Sequence, residues 1–384
     1  MTPLLYAEQA TLGAVLLEPN QLARLTPWLQ PSHFYRPLHQ ALYGAALKLR
    51  DGGHPATSLG SEETVPLSWL SDIVVEADTH VRGLTTSYAH QLVAACPRPG
   101  NAAVYGRMVL EGAIRRSVAQ HATRLHQAAR ADALRGTPDE SVREVELLSK
   151  ALKDLARRWG TEVQPVPPSR PPAVVPFSPD EQLLADEELL LGSLTARPAQ
   201  LGHVVQWLHP ADFADAGHEH VYRALGGLHH RGEPVDELTV LWEIQRRGAL
   251  ADRTLDAERV MDICGSSCGG AAEHLGERVV RAAFLRTVAT TSRHVHALAE
   301  DESLTPGRLV GHALYALEPL HAVYDRLLAA GGDTPASSPT PPVDAARAEV
   351  ARVRSSTHRP TTAPAPAAGI RLPFPHRAPR RSHP

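Results

Sequence analysis

The chain has 384 residues, 43% of them hydrophobic and 21% charged, with a formal net charge of −3 at pH 7. This length has room for two cores of ordinary domain size, and three unevenly spaced cysteines are too few for a disulfide framework. No apolar run approaches the roughly 20 residues of a membrane-spanning helix, and no basic, apolar leader follows Met1, so we expect a cytoplasmic protein.

The same pattern of residues occurs twice along the chain. At least ten pairs of identical residues stand 179 positions apart, among them Trp28 and Trp207. The offset falls to 170 at Gly106 and Gly276 and later to 168, so the first copy diverges near residues 56–100. A repeat of domain length indicates duplication of a whole folded module. We predict a first copy at 1–160, a linker at 161–180, a second copy at 181–330 and a tail at 331–384.

Within each copy the apolar residues recur at helical spacing. In the first copy, residues 38, 42, 45 and 49 share one face of a predicted helix that begins at Pro37 and ends at Gly52-Gly53. The second copy repeats the pattern at residues 221, 225 and 228, before Gly232. The preceding loops carry Phe34 and Phe213, which we expect to fill the core of each copy.

The last part of each copy predicts a long helical hairpin. Its first helix is followed by a turn at 135–138, and Thr137-Pro138 and Thr305-Pro306 mark the predicted start of the second helix, with Thr as the cap. Any apolar face left over on one hairpin would recruit the other. The seam residues, spaced by three and four, are Val145, Leu148, Leu152, Leu155 and Trp159 in the first copy and Ala313, Ala316, Leu320, Val323 and Leu327 in the second.

Two segments have a composition that does not support a hydrophobic core. Residues 161–180 hold seven prolines, which favours an extended, semi-rigid spacer. Residues 331–384 are rich in Pro, Ala, Ser, Thr and Arg, and carry a formal charge of +5 against −8 for the remainder. We predict a disordered tail, in which Arg377, Arg380 and Arg381 are candidate contacts for nucleic-acid phosphates.

Several stretches together resemble a known family. Residues 7–17 (AEQATLGAVLL) and 31–39 (PSHFYRPLH) look like the start of the N-terminal domain of the DnaB-type hexameric replicative helicase. Residues 231–236 (RGEPVD) and 241–248 (LWEIQRRG) resemble the next segment of that domain, and 102–109 (AAVYGRMV) is similar to the opening of its helical hairpin. The resemblance covers most of residues 4–159 and 183–328.

The resemblance implies an all-α fold of two tandem domains, each a small orthogonal helical subdomain followed by a long hairpin. In the family this domain assembles the helicase ring and contacts primase. One departure is that Ala56 to Val65 replaces the Leu-x-Glu-x-x-Arg-Arg-Gly segment in the first copy. The other is that none of the three lysines lies in the Gly-x4-Gly-Lys-Ser/Thr loop of the family's ATPase motor.

The sequence contains no recognisable motif of catalytic or metal-binding residues. Cys264, Cys268 and His274 make an incomplete zinc set, because structural zinc sites use four ligands. None of the 21 histidines stands at metal or nucleophile spacing from a cysteine or carboxylate, and no Ser occupies a Gly-x-Ser-x-Gly elbow. We therefore predict no catalytic, cofactor or metal site and no small-molecule substrate.

The leading hypothesis is a non-catalytic interaction module of DNA replication that binds a replicative helicase, a primase or a loader protein through its hairpins. Self-association through the hairpins is a further expectation. The predicted partner-binding residues are the seam residues Leu148, Leu152, Leu155, Trp159, Leu320, Val323 and Leu327, together with Arg115 and Arg116. Two alternatives stay open: a DNA-binding regulator that uses the Arg-rich tail, and a motor-less subunit of a split replicative helicase.

Overall fold

The computed structural model describes residues 2–58, 65–168, 180–250, 255–266 and 271–331. Over these ranges the chain is helical and contains no strand, which confirms the predicted all-α fold. The helices of the first copy are α1 (Pro3–Leu17), α2 (Leu22–Leu25), α3 (Pro37–Asp51), α4 (Leu67–Asp78), α5 (Thr86–Ala94), α6 (Ala102–Arg135) and α7 (Asp139–Trp159). Those of the second are α8 (Glu181–Ala196), α9 (Leu201–Val204), α10 (Ala216–Arg231), α11 (Glu237–Arg246), α12 (Ala257–Gly265), α13 (Ala272–Glu300) and α14 (Pro306–Ala330).

Each copy has a head of short helices and a hairpin of two long ones. The first head (α1 to α5) packs α3 and α5 against α1, and the second head (α8 to α12) packs α10 and α12 against α8. The two phenylalanines predicted to fill the cores do so. Phe34 lies 5.0 Å from Tyr43 between ring centroids, and Phe213 lies 4.9 Å from Tyr222.

The boundaries of the helix after each Phe loop follow the sequence signals. Helix α3 has Pro37 in its first turn and ends at Gly52, after which Gly53 adopts φ +75°. Helix α10 ends at Gly232, with φ +67°. Glycine takes up this left-handed conformation without the steric cost that a Cβ imposes.

A Trp–Gly contact joins each head to its own hairpin. A Cβ on Gly106 would lie 2.8 Å from the Trp28 ring, and a Cβ on Gly276 would lie 2.6 Å from the Trp207 ring. The missing side chain lets the backbone of α6 or α13 approach the indole directly. The repeated Trp and Gly of the sequence are therefore two halves of one packing contact.

The first hairpin (α6 and α7) turns at Gly136, which has φ +74°. The predicted start of the second helix is wrong by one residue, because α7 begins at Asp139 and its N-cap position is held by Pro138 and not by Thr137. The cap comes from the preceding helix instead: the Asp132 carboxylate accepts a 2.7 Å hydrogen bond from the Ser141 backbone N–H. In the second hairpin (α13 and α14), Thr305 precedes Pro306 as predicted, but its side chain makes no capping bond.

The described part of the linker, residues 161–168, lies along α14. The Val166 N–H donates to the Gly311 carbonyl at 3.0 Å, and the Val166 carbonyl lies 2.9 Å from His312 Nδ1. A Cβ on Gly307 or Gly311 would collide with Thr161 or Val166, at 2.7 and 2.9 Å. The second hairpin thus binds the start of the linker, just after the end of the first hairpin. Linker residues 169–179 lie outside the described residues.

Candidate interaction surface

The predicted seam residues lie inside the folded chain. Leu148, Leu152 and Leu320 are fully buried, and Leu155, Val323 and Leu327 are nearly so. Trp159 is half-buried, with the Arg107 guanidinium 5.2 Å from its ring centroid. A separate protein reaches this seam only if the hairpins open. The seam's role in binding a partner stays a prediction, and its visible role is to stabilise the hairpins.

The two hairpins pack against each other along α6 and α13, which run antiparallel. At one end Arg115 Nη1 donates to the Asp301 carbonyl at 2.7 Å. In the middle His126 Nδ1 lies 3.3 Å from Ser292 Oγ, and at the other end Arg281 Nη1 donates to the Gly136 carbonyl at 3.2 Å. Along this contact the residue numbers of α6 increase while those of α13 decrease, as expected for antiparallel helices.

The pairing has an approximate twofold symmetry that follows the sequence repeat. Arg115 also donates to the Leu304 carbonyl at the turn of the second hairpin. Leu304 and Gly136 occupy equivalent positions in the two turns, so each turn is held by an arginine of the other copy. Arg115, a predicted partner-binding residue, thus uses its donors within the chain, and its role toward a separate partner stays a prediction.

Arg116 joins the first hairpin to the first head. Its Nη2 donates to the His33 carbonyl at 2.9 Å, and its guanidinium carbon lies 5.5 Å from the centroid of the Tyr35 ring. The equivalent Arg286 donates to the Asp212 carbonyl at 2.9 Å. Burial lowers the pKa of both guanidinium groups. Arg116 therefore positions the head on the hairpin, and its predicted contact with a partner is untested.

Each head contains a buried Glu–His pair that the sequence analysis missed. Glu8 Oε2 lies 2.7 Å from His39 Nδ1, and Glu187 Oε2 lies 2.8 Å from His218 Nδ1. Spacing along the sequence does not reveal these pairs, because the two partners come from different helices. Both members stand at the 179-residue offset, and that shared offset was the available signal.

The glutamates of these pairs also hold backbone. Glu8 accepts a hydrogen bond from the Tyr35 N–H, and Glu187 accepts one from the Ala214 N–H at 2.6 Å. Each carboxylate thus ties the loop after the Phe residue to the first helix of its head. With both side chains withdrawn from solvent, these pairs are structural elements of the fold.

The second head exposes large apolar side chains on α11. Leu238 and Trp242, one helical turn apart, are 68% and 63% exposed, and Met261 on α12 is partly exposed. Leu238 and Met261 both line a groove of about 600 Å³. Exposed large apolar side chains on one helix, a Trp among them, are typical of a protein contact surface.

The first head differs from the second at the position of the exposed tryptophan. Matching the buried Trp69 and Ile73 of α4 with the buried Val240 and Ile244 of α11 puts Trp242 where α4 has Ser71. The two heads therefore differ in surface character at an equivalent helix. The sequence signal was the apolar pair at i, i+4 outside the buried face of α11.

The remaining predicted site residues give no further cluster. Cys264 is buried, and burial raises the pKa of its thiol to about 11. Cys268, and the tail residues Arg377, Arg380 and Arg381, lie outside the described residues. In the part of the chain that the structure describes, no three His, Cys, Asp or Glu side chains gather as a metal site. The described helices also include none long and apolar enough to span a bilayer.

Comparison with known proteins finds a family model that matches both copies and relatives that match about a third of the chain. The family model described as DnaB-like helicase N terminal domain matches residues 3–111 and 180–266, slightly more than half of the chain. The replicative DNA helicase DnaB of Mycobacterium leprae (strain TN) is 33% identical over 128 residues, which cover 32% of this chain and 19% of that protein. The replicative DNA helicase DnaB of Geobacillus stearothermophilus is 34% identical over 121 residues, which cover 32% of this chain and 25% of that protein.

Among solved structures, the crystal structure of the N-terminal domain of DnaB helicase from Mycobacterium tuberculosis matches at 32% identity with a TM-score of 0.31. The match covers 36% of this chain and 92% of that one. Against the full-length curated helicases the chain spans only about a fifth to a quarter of their length.

Proposed function

The chain belongs to the DnaB-like helicase N-terminal domain family, and we propose that it is a non-catalytic assembly module of DNA replication. The observation that carries this proposal is the antiparallel pairing of α6 with α13. Two copies of an interaction domain in one chain form a fixed pair, with each turn held by an arginine of the other copy. Such a pair imitates a dimer of helicase N-terminal domains.

The partners that fit this proposal are a replicative helicase, a primase or a loader protein, met in the cytoplasm. The relatives are replicative helicases, and the match to them covers a fifth to a quarter of their length. Two linked copies of the assembly domain would add to a helicase ring, or occupy its partners, without hydrolysing ATP.

We assign the partner contact to the apolar patch of the second head, formed by Leu238, Trp242 and Met261. Burying an exposed Trp and Leu against a partner removes apolar area from water, at roughly 25 cal/mol per Å². Tryptophan is enriched among residues that dominate binding energy. Since the first head has Ser71 at the position of Trp242, the two copies would make unequal contributions to binding.

A binding assay with the purified helicase, primase and loader of the same cell tests the proposal. We expect one of the three to bind at micromolar concentration or tighter, and Trp242→Ser to weaken that binding at least tenfold. Val75→Ser removes an equally exposed apolar side chain from α4 of the first head and serves as the matched control. Removal of residues 332–384 is expected to leave binding unchanged.

Absence of binding to all three proteins in low salt would contradict the assembly role. If the Trp242 and Val75 variants lost binding equally, the assignment of the partner contact to α11 would be wrong. ATP hydrolysis by the purified chain, measured as phosphate release, would contradict the non-catalytic assignment.

A further inference from the structure

A polar cavity of about 280 Å³ lies between the first head and the first hairpin. One histidine and two arginines from three elements line it: His33 from the turn at Pro31–His33, Arg116 from α6 and Arg158 from α7. One acidic side chain, Asp154, lines it as well. The cavity therefore gathers hydrogen-bond donors at the joint between head and hairpin.

The second copy shows what occupies the equivalent place there. The repeat matches His33 with Asp212, Arg116 with Arg286 and Arg158 with Arg326. Asp212 is 2% exposed, and its Oδ1 pairs with Arg326 Nη2. Its Oδ2 accepts a hydrogen bond from the His209 N–H at 2.8 Å. A carboxylate supplied by the head thus bridges to the last helix of the hairpin.

In the first copy that carboxylate is missing, and Arg158 takes a different partner, whereas Arg116 keeps the backbone contact that Arg286 makes. Arg158 Nε pairs with Asp154 Oδ2 on its own helix at 2.7 Å, at a partly exposed site. Its two Nη nitrogens make no hydrogen bond within the described residues. Arg116 Nη1 is buried and has no hydrogen-bond partner there either. A buried donor without a partner destabilises the fold, and more so when it is charged.

His33 adds a donor and no charge. Its Nδ1 accepts a hydrogen bond from the Gln30 N–H at 3.0 Å, so the ring proton resides on Nε2. Burial, followed by the nearby Arg158 and Arg116 guanidinium groups, lowers the pKa of His33 to about 4. The ring is neutral at pH 7. Two guanidinium groups and one ring N–H are the donor set that oxyanions prefer.

We propose that the first copy binds an external oxyanion, a carboxylate or a phosphate group, in this cavity, beside His33, which stands where the second copy has the Asp212 carboxylate. The anion bridges Arg158 to Arg116 and so closes the joint between α7 and the first head. This site is separate from the apolar patch of α11, and its existence does not depend on the assembly role.

Thermal unfolding of the full chain tests the site, with inorganic phosphate and acetate as the probes. Each anion is titrated to 20 mM at pH 7.5, and sodium chloride keeps the total ionic strength constant. A ligand that binds only the folded state raises the unfolding midpoint in a saturable way. We expect phosphate or acetate, but not chloride, to raise the midpoint. The better of the two identifies the preferred anion.

Two variants decide whether the shift arises in this cavity. His33→Asp installs the carboxylate that the second copy has, and we expect it to raise the midpoint without added anion and to lose at least two thirds of the anion-dependent shift. Arg158→Ala is expected to lose the shift as well. Arg143→Ala removes an exposed arginine from the same helix α7 and should keep the full shift.

Equal midpoints in phosphate, acetate and chloride would overturn the proposal. So would an undiminished shift in both His33→Asp and Arg158→Ala, because the anion would then act elsewhere on the chain. Loss of partner binding in the Trp242 variant with an intact anion response would concern the assembly proposal alone.

Discussion

Arg115 of the first hairpin donates a hydrogen bond to the backbone carbonyl of Leu304, at the turn of the second. The same guanidinium reaches the Asp301 carbonyl, just past the end of α13. The last carbonyls of a helix lack intrahelical partners, and a cation placed there is favoured by the helix dipole. Arg281 serves the end of α6 in the same way, through Gly136. Each copy therefore completes the helix end of the other.

The first prediction concerns the independence of this pairing from the linker. A protease site placed within residues 169–179 and then cut should leave the two copies associated, with an unchanged mass by analytical ultracentrifugation at micromolar concentration. Ser292→Lys places a charge in the α6–α13 contact, where Ser292 is buried beside His126, and should make the cut halves separate. Thr290→Lys, exposed on the same helix, should not. Separation of the unmodified halves would contradict the intramolecular pair.

The second prediction concerns the Trp–Gly joint. Gly276→Ala forces a methyl group against Trp207 and should lower the free energy of unfolding by about 1–3 kcal/mol. Gly226→Ala, within α10, meets open space and should raise it by about 0.5–1 kcal/mol through helix propensity. Urea denaturation measures both. If both substitutions changed the free energy of unfolding in the same direction, the close approach of Trp207 to Gly276 would not be what excludes a side chain there.

The third prediction concerns the buried Glu–His pairs. Glu187→Ala leaves His218 and the Ala214 N–H without their acceptor and should cost about 3–5 kcal/mol. The neighbouring Glu188→Ala removes an outer ion pair with Arg259 and should cost less than about 1 kcal/mol. Denaturant midpoints of the two variants give the comparison. Similar losses in both would place the stabilisation outside the buried pair.

The fourth prediction is a pH dependence from His33. Its pKa falls from 6.5 when unfolded to about 4 when folded, so the unfolded chain binds more protons between these values. The stabilising contribution is complete above pH 6.5, is lost as the pH falls toward 4, and amounts to about 3 kcal/mol at most.

His33→Asn lacks this term, so the difference in unfolding free energy between the natural chain and this variant should change by up to about 3 kcal/mol between pH 7 and pH 4. Burial also lowers the pKa values of His121 and His294, and their effects cancel in the difference. Parallel pH profiles for the two proteins would contradict the assignment. Guanidinium denaturation at a series of pH values provides the measurement.

Periodicity and turn chemistry made much of the fold predictable. Helix α3 starts at Pro37 and ends at Gly52 because proline and glycine restrict the backbone locally. The hairpins followed from apolar residues at three- and four-residue spacing. The cap of α7 was assigned wrongly to Thr137, because the capping carboxylate, that of Asp132, comes from the preceding helix. A contact of that kind leaves no signal in the residues next to the helix start.

The sequence by itself determined that this chain is an all-α duplication from a helicase N-terminal family, since repeats, periodicity and glycine positions are local properties. Only the tertiary structure decided where Arg115, Glu8 and Trp242 act. Pairing of α6 with α13, burial of Glu8 beside His39, and exposure of Trp242 depend on which faces of distant helices meet. The repeat showed that the two copies are alike, and their packing showed that they complete each other and differ at His33 and Trp242.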